Sequence, residues 1–247
     1  MLTRPQLFCQ NLSLFAKLFL DNKSVFFDVT GFNYFLLVYT LPTPEPSTKV
    51  NSTERTGPKH QIVGFFSKEK MSWDNNNLAC ILVFPPWQKK GLGALLMGVS
   101  YEISRREEIL GGPEKPISDL GKKGYKRFWA GEVARWILGL DLKTADGGMI
   151  INIDDCSKAT WIVPEDCLMV LREMGVVEDA GVGPGKREPP KEGEEEAPKE
   201  VQRVRISKVA VRSWVQANRI SLERTCDPNC FAEGYAIKKE ADEDEEL

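Results

Sequence analysis

The stretch CILVFPPWQKKGLGALLMGVSYEISRREE, residues 80–108, changes its pattern in the middle. It starts as an apolar run, breaks at Pro85-Pro86 and passes a glycine-rich corner, after which apolar residues recur at helical spacing. The apolar positions after the corner are Leu92, Leu95, Leu96, Val99 and Ile103. This order predicts a strand, a loop and a helix. A corner of this kind can hold an anion, another segment of backbone or nothing.

The glycines of the corner suit an anion. Glycine between a strand and a helix lets backbone N–H groups converge, and the helix dipole adds partial positive charge. Gly91 and Gly93 would admit a pyrophosphate, with Lys89 and Lys90 at the rim. The Gln-x-x-Gly-x-Gly order from Gln88 matches neither the dinucleotide fingerprint nor the Lys-Ser/Thr phosphate loop, which excludes those two nucleotide sites. A plain tight turn is the alternative.

The segments before the corner predict a short helix and an antiparallel sheet. Residues 11–20 place four apolar side chains on one helical face, which are Leu14, Phe15, Leu18 and Phe19. SVFFDV and FNYFLLVYT are separated by Thr30-Gly31 and predict a hairpin, and QIVGFFSKEK and LACILVF predict two more strands. The proline-rich residues 41–60 predict a solvated loop inserted between strands.

The second half of the chain predicts helices followed by a strand. A long helix is expected from about Ser118 to Leu140, and two short helices are expected within residues 150–178. The second short helix would begin at Pro164, because Glu165 and Asp166 follow it and acidic residues favour a helix N-terminus. A strand, VRISK, comes after a low-complexity interruption. Helix, turn, helix and strand in this order are typical of a winged helix.

Composition limits the functional classes. The 247 residues, 42% of them hydrophobic, suit one large domain or a domain with a smaller appendage. No apolar segment approaches the ~18 residues of a membrane span, and the N-terminus lacks a signal-peptide pattern, so we expect a soluble intracellular protein. The six scattered cysteines suit reduced thiols. The whole chain has a net charge of −3, and residues 240–247 alone hold six acidic groups. The rest of the chain therefore carries about +3, which gives it no strong attraction for nucleic acid.

Five segments together resemble the MYST family of histone acetyltransferases, in the same order. They are FCQNLSLFAKLFLDNKSVFFDV, IVGFFSKEK, NLACILVFPPWQKKGLG, SYEISRRE and GPEKPISDLG. The resemblance is close over residues 8–140 and loose over 150–178. It implies an α+β (α/β), GNAT-like acetyltransferase core with a mixed, mainly antiparallel sheet and a C-terminal winged-helix-like segment.

The resemblance also implies a domain organisation. Residues 1–145 would form the acetyl-CoA-binding catalytic core with the inserted loop 41–60. Residues 146–239 would form the winged-helix-like segment, interrupted by low-complexity residues 180–200. Residues 240–247 would be an acidic, disordered tail.

The function implied is that of a nuclear histone lysine N-acetyltransferase. It would transfer acetyl from acetyl-CoA to a lysine ε-amine of a histone tail, H4 in our expectation, within a multisubunit chromatin complex. No membrane partner is expected. Direct DNA binding would be weak or absent, because residues 151–178 carry only Lys158 and Arg172 as basic groups.

The resemblance assigns roles to individual residues. Glu114 matches the glutamate general base, and Cys80 matches the cysteine at the acetyl site, either as a lining residue, which we favour, or as an acetyl-enzyme. Lys17 coincides with the autoacetylated lysine, and a helical ion pair with Asp21 is the alternative. Ser118 would contact the cofactor, cap the next helix, or do both. The other cofactor contacts implied are Ile81, Leu82, Val83, Gln88, Lys89, Lys90, Gly91, Leu92, Gly93 and Ala94.

Some features depart from the family. Its members usually carry a zinc finger upstream, whereas here eight residues precede Cys9, so we expect a truncated product or a divergent member. The pair Cys226 and Cys230 has no nearby histidine, and two thiolates do not complete a tetrahedral site, so no zinc is expected. Ala94 stands where the family usually has lysine, and Lys126-Arg127 replace a usual serine, which puts cofactor contacts at both places in doubt.

Three alternatives to a histone acetyltransferase remain open. The first is a catalytically impaired MYST-like binding subunit of a chromatin complex, against which the presence of Cys80, Glu114 and the glycine corner argues. The second is a small-molecule N-acetyltransferase, which the segments outside the corner argue against. The third, a winged-helix DNA-binding protein, is weaker still.

Overall fold

The computed structural model describes residues 4–20, 23, 27–41, 60–141, 148–184 and 200–236. The expected loop at 41–60, most of the low-complexity stretch and the acidic tail lie outside these residues. The elements in chain order are α1 Arg4–Lys17, β1 Phe32–Thr40, β2 His60–Glu69, β3 Cys80–Val83, α2 Leu92–Arg106, α3 Asp119–Gly139, β4 Gly148–Asn152, α4 Ile153–Thr160, α5 Pro164–Glu173, β5 Val177–Pro184, β6 Glu200–Ser207 and α6 Lys208–Ala217.

The first sheet carries the strand that leads into the glycine corner. Its order is β1-β2-β3 with both pairs antiparallel, as the sequence predicts. Phe65 and Phe66 of β2 are fully buried on its two faces. Phe35 of β1 stacks on Phe66 with ring centroids 4.5 Å apart, and such cross-strand aromatic pairs fix the register. The strand, loop and helix predicted for residues 80–108 are confirmed, with a short 3-10 turn at Pro85–Trp87 before α2.

The first helix differs from its prediction. It begins at Arg4 rather than near residue 11 and ends at Lys17. The face predicted to be buried is the exposed one, since Leu18 is 75% exposed and Leu14, Phe15 and Phe19 are also exposed. Leu12, Ser13 and Ala16 form the buried face instead. The reason is that Ala16 is small enough to bring the helix close to the sheet, and Ser13 shares a 2.6 Å hydrogen bond with the Tyr34 hydroxyl.

The strand predicted for SVFFDV is absent where the structure describes it. Residues 24–26 lie outside the described part, and residues 27–29 form no strand. Asp28 closes a local turn there, because its Oδ1 accepts from the Thr30 backbone N–H at 3.2 Å and from the Thr30 hydroxyl at 2.7 Å. This side-chain bonding competes with strand pairing, so the predicted hairpin is wrong over these residues.

The C-terminal part contains a second antiparallel sheet with order β4-β6-β5. The two short helices are confirmed as α4 and α5, and Pro164 occupies the start of α5. With the β5–β6 pair, they give the helix, turn, helix and sheet arrangement of a winged helix. The sequence prediction missed β4, which occupies residues 148–152 ahead of α4, and β5, which extends to Pro184 inside the expected interruption. Both are short strands whose pairing with β6 supplies their stability.

The main core lies around α3. Tyr125, Trp129, Val133 and Ile137 of this helix are buried against residues of α2, α4, α5, α6 and the second sheet. The Trp129 indole N–H donates to the Tyr101 hydroxyl on α2 at 2.7 Å, so the buried polar atoms of the two rings are paired. Helix α3 therefore links the helix that follows the glycine corner to the C-terminal elements. The boundary proposed at residue 145 stays a prediction.

Residues 218–236, which we call the strap, run from the end of α6 across α2 and α3. The Arg106 guanidinium donates to the Pro228 carbonyl at 2.7 Å and lies 4.4 Å from the Phe231 ring centroid. A Cβ at Gly98 would lie 2.4 Å from Thr225 Oγ1, so glycine is what lets the strap approach α2. All six cysteines are free thiols. Among the described residues, no helix has the length and apolar character needed to cross a membrane.

Candidate active site

The thiol of Cys80 lies at the start of β3 and is 8% exposed. It packs with Leu12, Ala16, Phe65 and Leu82 in a small apolar cluster between α1 and the sheet. The strand runs from this thiol toward the glycine corner at its other end. Any ligand that lies along β3 can therefore contact the corner and Cys80 at the same time.

The carboxylate of Glu114 is brought to the same place by a short parallel pairing. Leu78 and Pro113 form a parallel bridge, and the Glu114 backbone N–H donates to the Leu78 carbonyl at 2.8 Å. The Asn77 backbone N–H donates to the Gly112 carbonyl at 2.9 Å. Leu78 is two residues before Cys80, so this pairing holds Glu114 beside the thiol. The structure thus joins the two residues predicted to be catalytic.

The electrostatics of Glu114 suit a base. The residue is exposed overall, but burial on its carboxyl side raises the pKa of Glu114, and the nearby Glu69 raises it further. The ammonium of Lys23 opposes this rise and lowers the pKa. Partial desolvation plus a like charge is the usual way in which proteins raise a carboxyl pKa.

The electrostatics of Cys80 suit a protonated thiol. Burial raises its pKa, and the negative charge of Glu114 adds to the rise. Lys23 lowers the pKa of the thiol through its charge and through a hydrogen bond to Cys80, but the net direction is upward. The thiolate is the reactive form of cysteine, so this environment disfavours the nucleophile.

Two residues of this site escaped the sequence analysis. Lys23 interacts with both Cys80 and Glu114, and Glu69, at the end of β2, interacts with Glu114. Both lie inside segments that resemble the family, but nothing in their spacing marked them. Lys17, for which the resemblance implied autoacetylation, is an exposed residue in the last turn of α1. Its expected partner Asp21 lies outside the described residues.

The glycine corner is shaped to accept an anion. Gly91 has φ 81°, a left-handed conformation that favours glycine, and a Cβ at Gly91 or Gly93 would meet no atom within 4 Å. No side chain caps α2, and the first helical bond in this turn runs from Leu95 to Gly91 at 3.1 Å. The backbone N–H groups of Leu92, Gly93 and Ala94 come before that first bond and, as at any helix N-terminus, have no partner within the helix. Open space and free donors fit a pyrophosphate.

The side chains before Gly91 form the rim of the corner. Gln88 donates from Nε2 to the Val83 carbonyl at 2.9 Å, which links the loop to the end of β3. The Lys90 ammonium lies 5.0 Å from the Trp87 ring centroid, and Lys89 and Lys90 are both exposed. The two ammonium groups remain accessible to an anion held at the corner.

One edge of β3 offers backbone groups to a ligand. Among the described strands β3 is an outer strand that pairs only with β2. The Phe84 N–H donates to the Val63 carbonyl at 2.9 Å. In an antiparallel pair, alternate residues bond to the neighbouring strand, so the backbone N–H and C=O groups of Ile81 and Val83 point away from β2. The side chain of Leu82 is buried. Backbone binding and core packing are therefore compatible in this strand.

Three other predicted positions have structural partners. Ser118 caps α3, since its hydroxyl accepts from the Gly121 N–H at 3.2 Å, and its contact with a cofactor stays a prediction. Lys126 pairs with Glu173 at 2.5 Å, and Arg127 donates to the Asn218 carbonyl at 3.1 Å. Within the described part of the chain, no group of three or more His, Cys, Asp and Glu residues could hold a metal ion. The expected absence of zinc stays a prediction.

An α+β fold in which a strand joins a glycine corner to a carboxylate and a thiol fits the acetyltransferase type of site. The sequence profile of the MOZ/SAS family matches residues 3–186. The chain belongs to this family, which confirms the MYST resemblance.

Similar curated proteins agree with this membership. The histone acetyltransferase MOF of Drosophila melanogaster is 41% identical over 171 residues, covering 69% of this chain and 18% of the relative. The histone acetyltransferase Tip60 homolog of Caenorhabditis elegans is 40% identical over 167 residues, covering 68% of this chain and 33% of the relative. The histone acetyltransferase SAS2 of Saccharomyces cerevisiae is 37% identical over 175 residues, covering 71% and 46%. The chain thus spans less than half the length of these relatives.

The loop before Glu114 gives a prediction with an adjacent control. A Cβ at Gly111 would lie 1.8 Å from the Asn75 carbonyl oxygen, whereas one at Gly112 would meet its nearest atom, Asp166 Oδ2, at an ordinary 3.4 Å. We expect Gly111→Ala to lower the free energy of unfolding by about 1–3 kcal/mol, the usual cost of overpacking, and Gly112→Ala to cost less. Thermal and urea denaturation followed by circular dichroism measure both. Equal stability of the two variants would contradict the close backbone approach.

Proposed function

We propose that this chain is a histone lysine acetyltransferase that uses acetyl-CoA as its co-substrate. The observation that carries the proposal is the position of Glu114 beside Cys80, at one end of the strand whose other end leads into the glycine corner. The names of the relatives support the substrate class, because each is a histone acetyltransferase.

The corner and the strand edge would bind the co-substrate. The N–H groups of Leu92, Gly93 and Ala94 would hold the pyrophosphate, with Lys89 and Lys90 near its charge. The outward backbone groups of β3 would orient the pantetheine arm, and this places the thioester toward Cys80. When bound, acetyl-CoA supplies an acetyl thioester whose carbonyl carbon forms the new C–N bond while its C–S bond breaks and CoA leaves as the thiol.

Glu114 would act as the general base. A solvated lysine amine has a pKa of ~10.4, so it must lose a proton before its nitrogen can attack. The carboxylate takes that proton, and its raised pKa makes it a stronger base nearer neutral pH. Because the carboxylate form is required, the rate rises with pH through the pKa of Glu114. The limb of the pH profile therefore lies above the pH at which an exposed glutamate titrates.

Direct transfer to lysine fits Cys80 better than an acetyl-enzyme. The raised pKa keeps the thiol protonated near neutral pH, where a nucleophilic cysteine would need to be a thiolate. The thiol would line the acetyl site and exclude water from it. The surrounding apolar residues of the Cys80 cluster support that role.

We further propose the tail of histone H4 as the substrate, a nuclear location and action within a chromatin-modifying complex. The support is the family membership and the names of the relatives. The proposed acetyl site contains Glu114 and Cys80, and the glycine corner is the proposed site for the pyrophosphate of the co-substrate.

Acetyl-CoA binding at the corner can be tested by comparing two helical glycines that both have open space around them. Gly93 and Gly139 are both helical, and a Cβ at either meets no atom within 4 Å. Gly93→Val should fill the space above the α2 N-terminus and weaken acetyl-CoA binding at least tenfold, about 1.4 kcal/mol, whereas Gly139→Val should leave it unchanged. Isothermal titration calorimetry measures both. Unchanged affinity in a folded Gly93→Val variant would refute the assignment.

The general base is tested by Glu114→Gln, which keeps the shape and removes the charge. We expect turnover of an H4 tail peptide to fall about 10²- to 10⁴-fold, with the acidic limb of the pH profile lost and acetyl-CoA affinity retained. Cys80→Ala should be milder, because it removes a lining group only. Glu223→Gln in the exposed part of the strap is the matched control. Wild-type turnover in Glu114→Gln with no turnover in Cys80→Ala would favour a covalent route.

Autoacetylation has two candidate lysines. Lys17 is the position that the resemblance implies, and Lys23 is the one that interacts with Cys80 and Glu114. We expect the active protein to carry acetyl on Lys23 rather than Lys17, and to lose it in Glu114→Gln. Peptide mapping by mass spectrometry distinguishes the two sites, with Lys17→Arg and Lys23→Arg as controls. Acetyl on Lys17 alone would contradict this expectation and support the position that the resemblance implies.

A further inference from the structure

A buried carboxylate lies underneath the loop that carries Glu114. Asp166, in the first turn of α5, is 4% exposed. Its Oδ1 accepts from the ammonium of Lys115 at 3.1 Å, although the Lys115 side chain is itself 58% exposed. The residue that follows the proposed base is therefore anchored to the C-terminal half of the molecule.

The second oxygen of Asp166 faces the same loop. Asp166 Oδ2 is buried and has no hydrogen-bond partner among the described residues. A Cβ at Gly112 would lie 3.4 Å from it, so the carboxylate lies close to the loop before Glu114 as well as being bonded to Lys115 after it. Burial raises the pKa of Asp166, and the hydrogen bond and charge of Lys115 oppose that rise. Burying a carboxylate is costly unless an opposite charge and hydrogen bonds compensate it, and the Lys115 ammonium supplies the charge and one hydrogen bond here.

The charges around the loop are divided between its two sides. Glu69, Lys23 and Cys80 interact with Glu114 on the side of the sheet. Lys115 and Glu165 interact with Asp166 on the side of α5, and so do the buried phenol groups of Tyr101 on α2 and Tyr125 on α3. The backbone between these sides is fixed, because Gly112 and Glu114 are hydrogen-bonded to the residues that precede β3. Lys115 is next to Glu114 in the chain, yet its ammonium is directed to the opposite side.

We propose that Asp166 is a positioning residue for acetyl transfer, because its buried carboxylate holds the Lys115 ammonium on the α5 side and keeps that cation away from Glu114. This inference rests on the proposed role of Glu114 as the base. A released Lys115 would be free to pair with the neighbouring carboxylate. An opposite charge at a few ångströms stabilises the ionised carboxylate and makes it a weaker base.

The test compares Asp166→Asn, Lys115→Met, the double variant and Glu114→Gln. For each, kcat and kcat/KM with acetyl-CoA and an H4 tail peptide are measured across pH, together with Tm. Asp166→Asn should lower the apparent pKa of the acidic limb by about 1 and reduce kcat several-fold, with the KM for acetyl-CoA unchanged. The double variant should restore the wild-type limb, because the Lys115 ammonium is then absent and only Lys23, as in the wild type, acts on Glu114. Lys115→Met alone should also keep that limb.

A merely structural role of Asp166 would lower Tm and activity without moving the limb, and the double variant would then be no better than Asp166→Asn. Either of those results overturns the proposal. If Glu114→Gln loses the limb while Asp166→Asn keeps the wild-type limb, only the positioning role fails. If Glu114→Gln retains wild-type turnover and pH profile, the base assignment fails, and the positioning role falls with it. Should Lys115→Met fail to fold, the comparison of Asp166→Asn with the double variant decides.

Discussion

The parallel bridge between Leu78 and Pro113 is the contact on which the site depends. It brings a loop that follows α2 against the segment that enters β3, and one backbone bond from Glu114 to the Leu78 carbonyl fixes the carboxylate beside Cys80. The other end of β3 leads to Gly91, where α2 begins without a side-chain cap. One short strand thus sets the separation between the glycine corner and the proposed base.

The C-terminal half supports this arrangement from below. Helix α3 follows directly from the Glu114 loop and packs its buried face against α5, where Asp166 holds Lys115. The same helix contacts α2 through the Trp129–Tyr101 hydrogen bond. Helix α2 begins at the glycine corner, and α3 begins after the Glu114 loop. The packing of the two helices therefore fixes the corner and the loop relative to each other. The winged-helix-like elements therefore help to position the Glu114 loop through packing.

The sequence predicted features that depend on local geometry. Glycine at residues 91 and 93 has a local reason, the left-handed turn and open helix end, and Pro164 with two acidic residues marks the start of α5. Tertiary contacts explain what was missed. The buried face of α1 is set by Ala16 against the sheet, which hydrophobic spacing cannot show. Lys23 is distant from Cys80 and Glu114 in the sequence and lies near them only in the folded chain. Strands β4 and β5 form because both pair with β6.

We propose that the fold makes Glu114 a better base than a surface glutamate. The most direct measurement is its pKa, followed by carboxyl ¹³C NMR of glutamate-labelled protein and assigned with Glu114→Gln, with Glu223 as the exposed reference. Glu114 should titrate at higher pH than the reference, because burial of its carboxyl group and the charge of Glu69 outweigh the charge of Lys23. A pKa equal to or below that of the reference would contradict it.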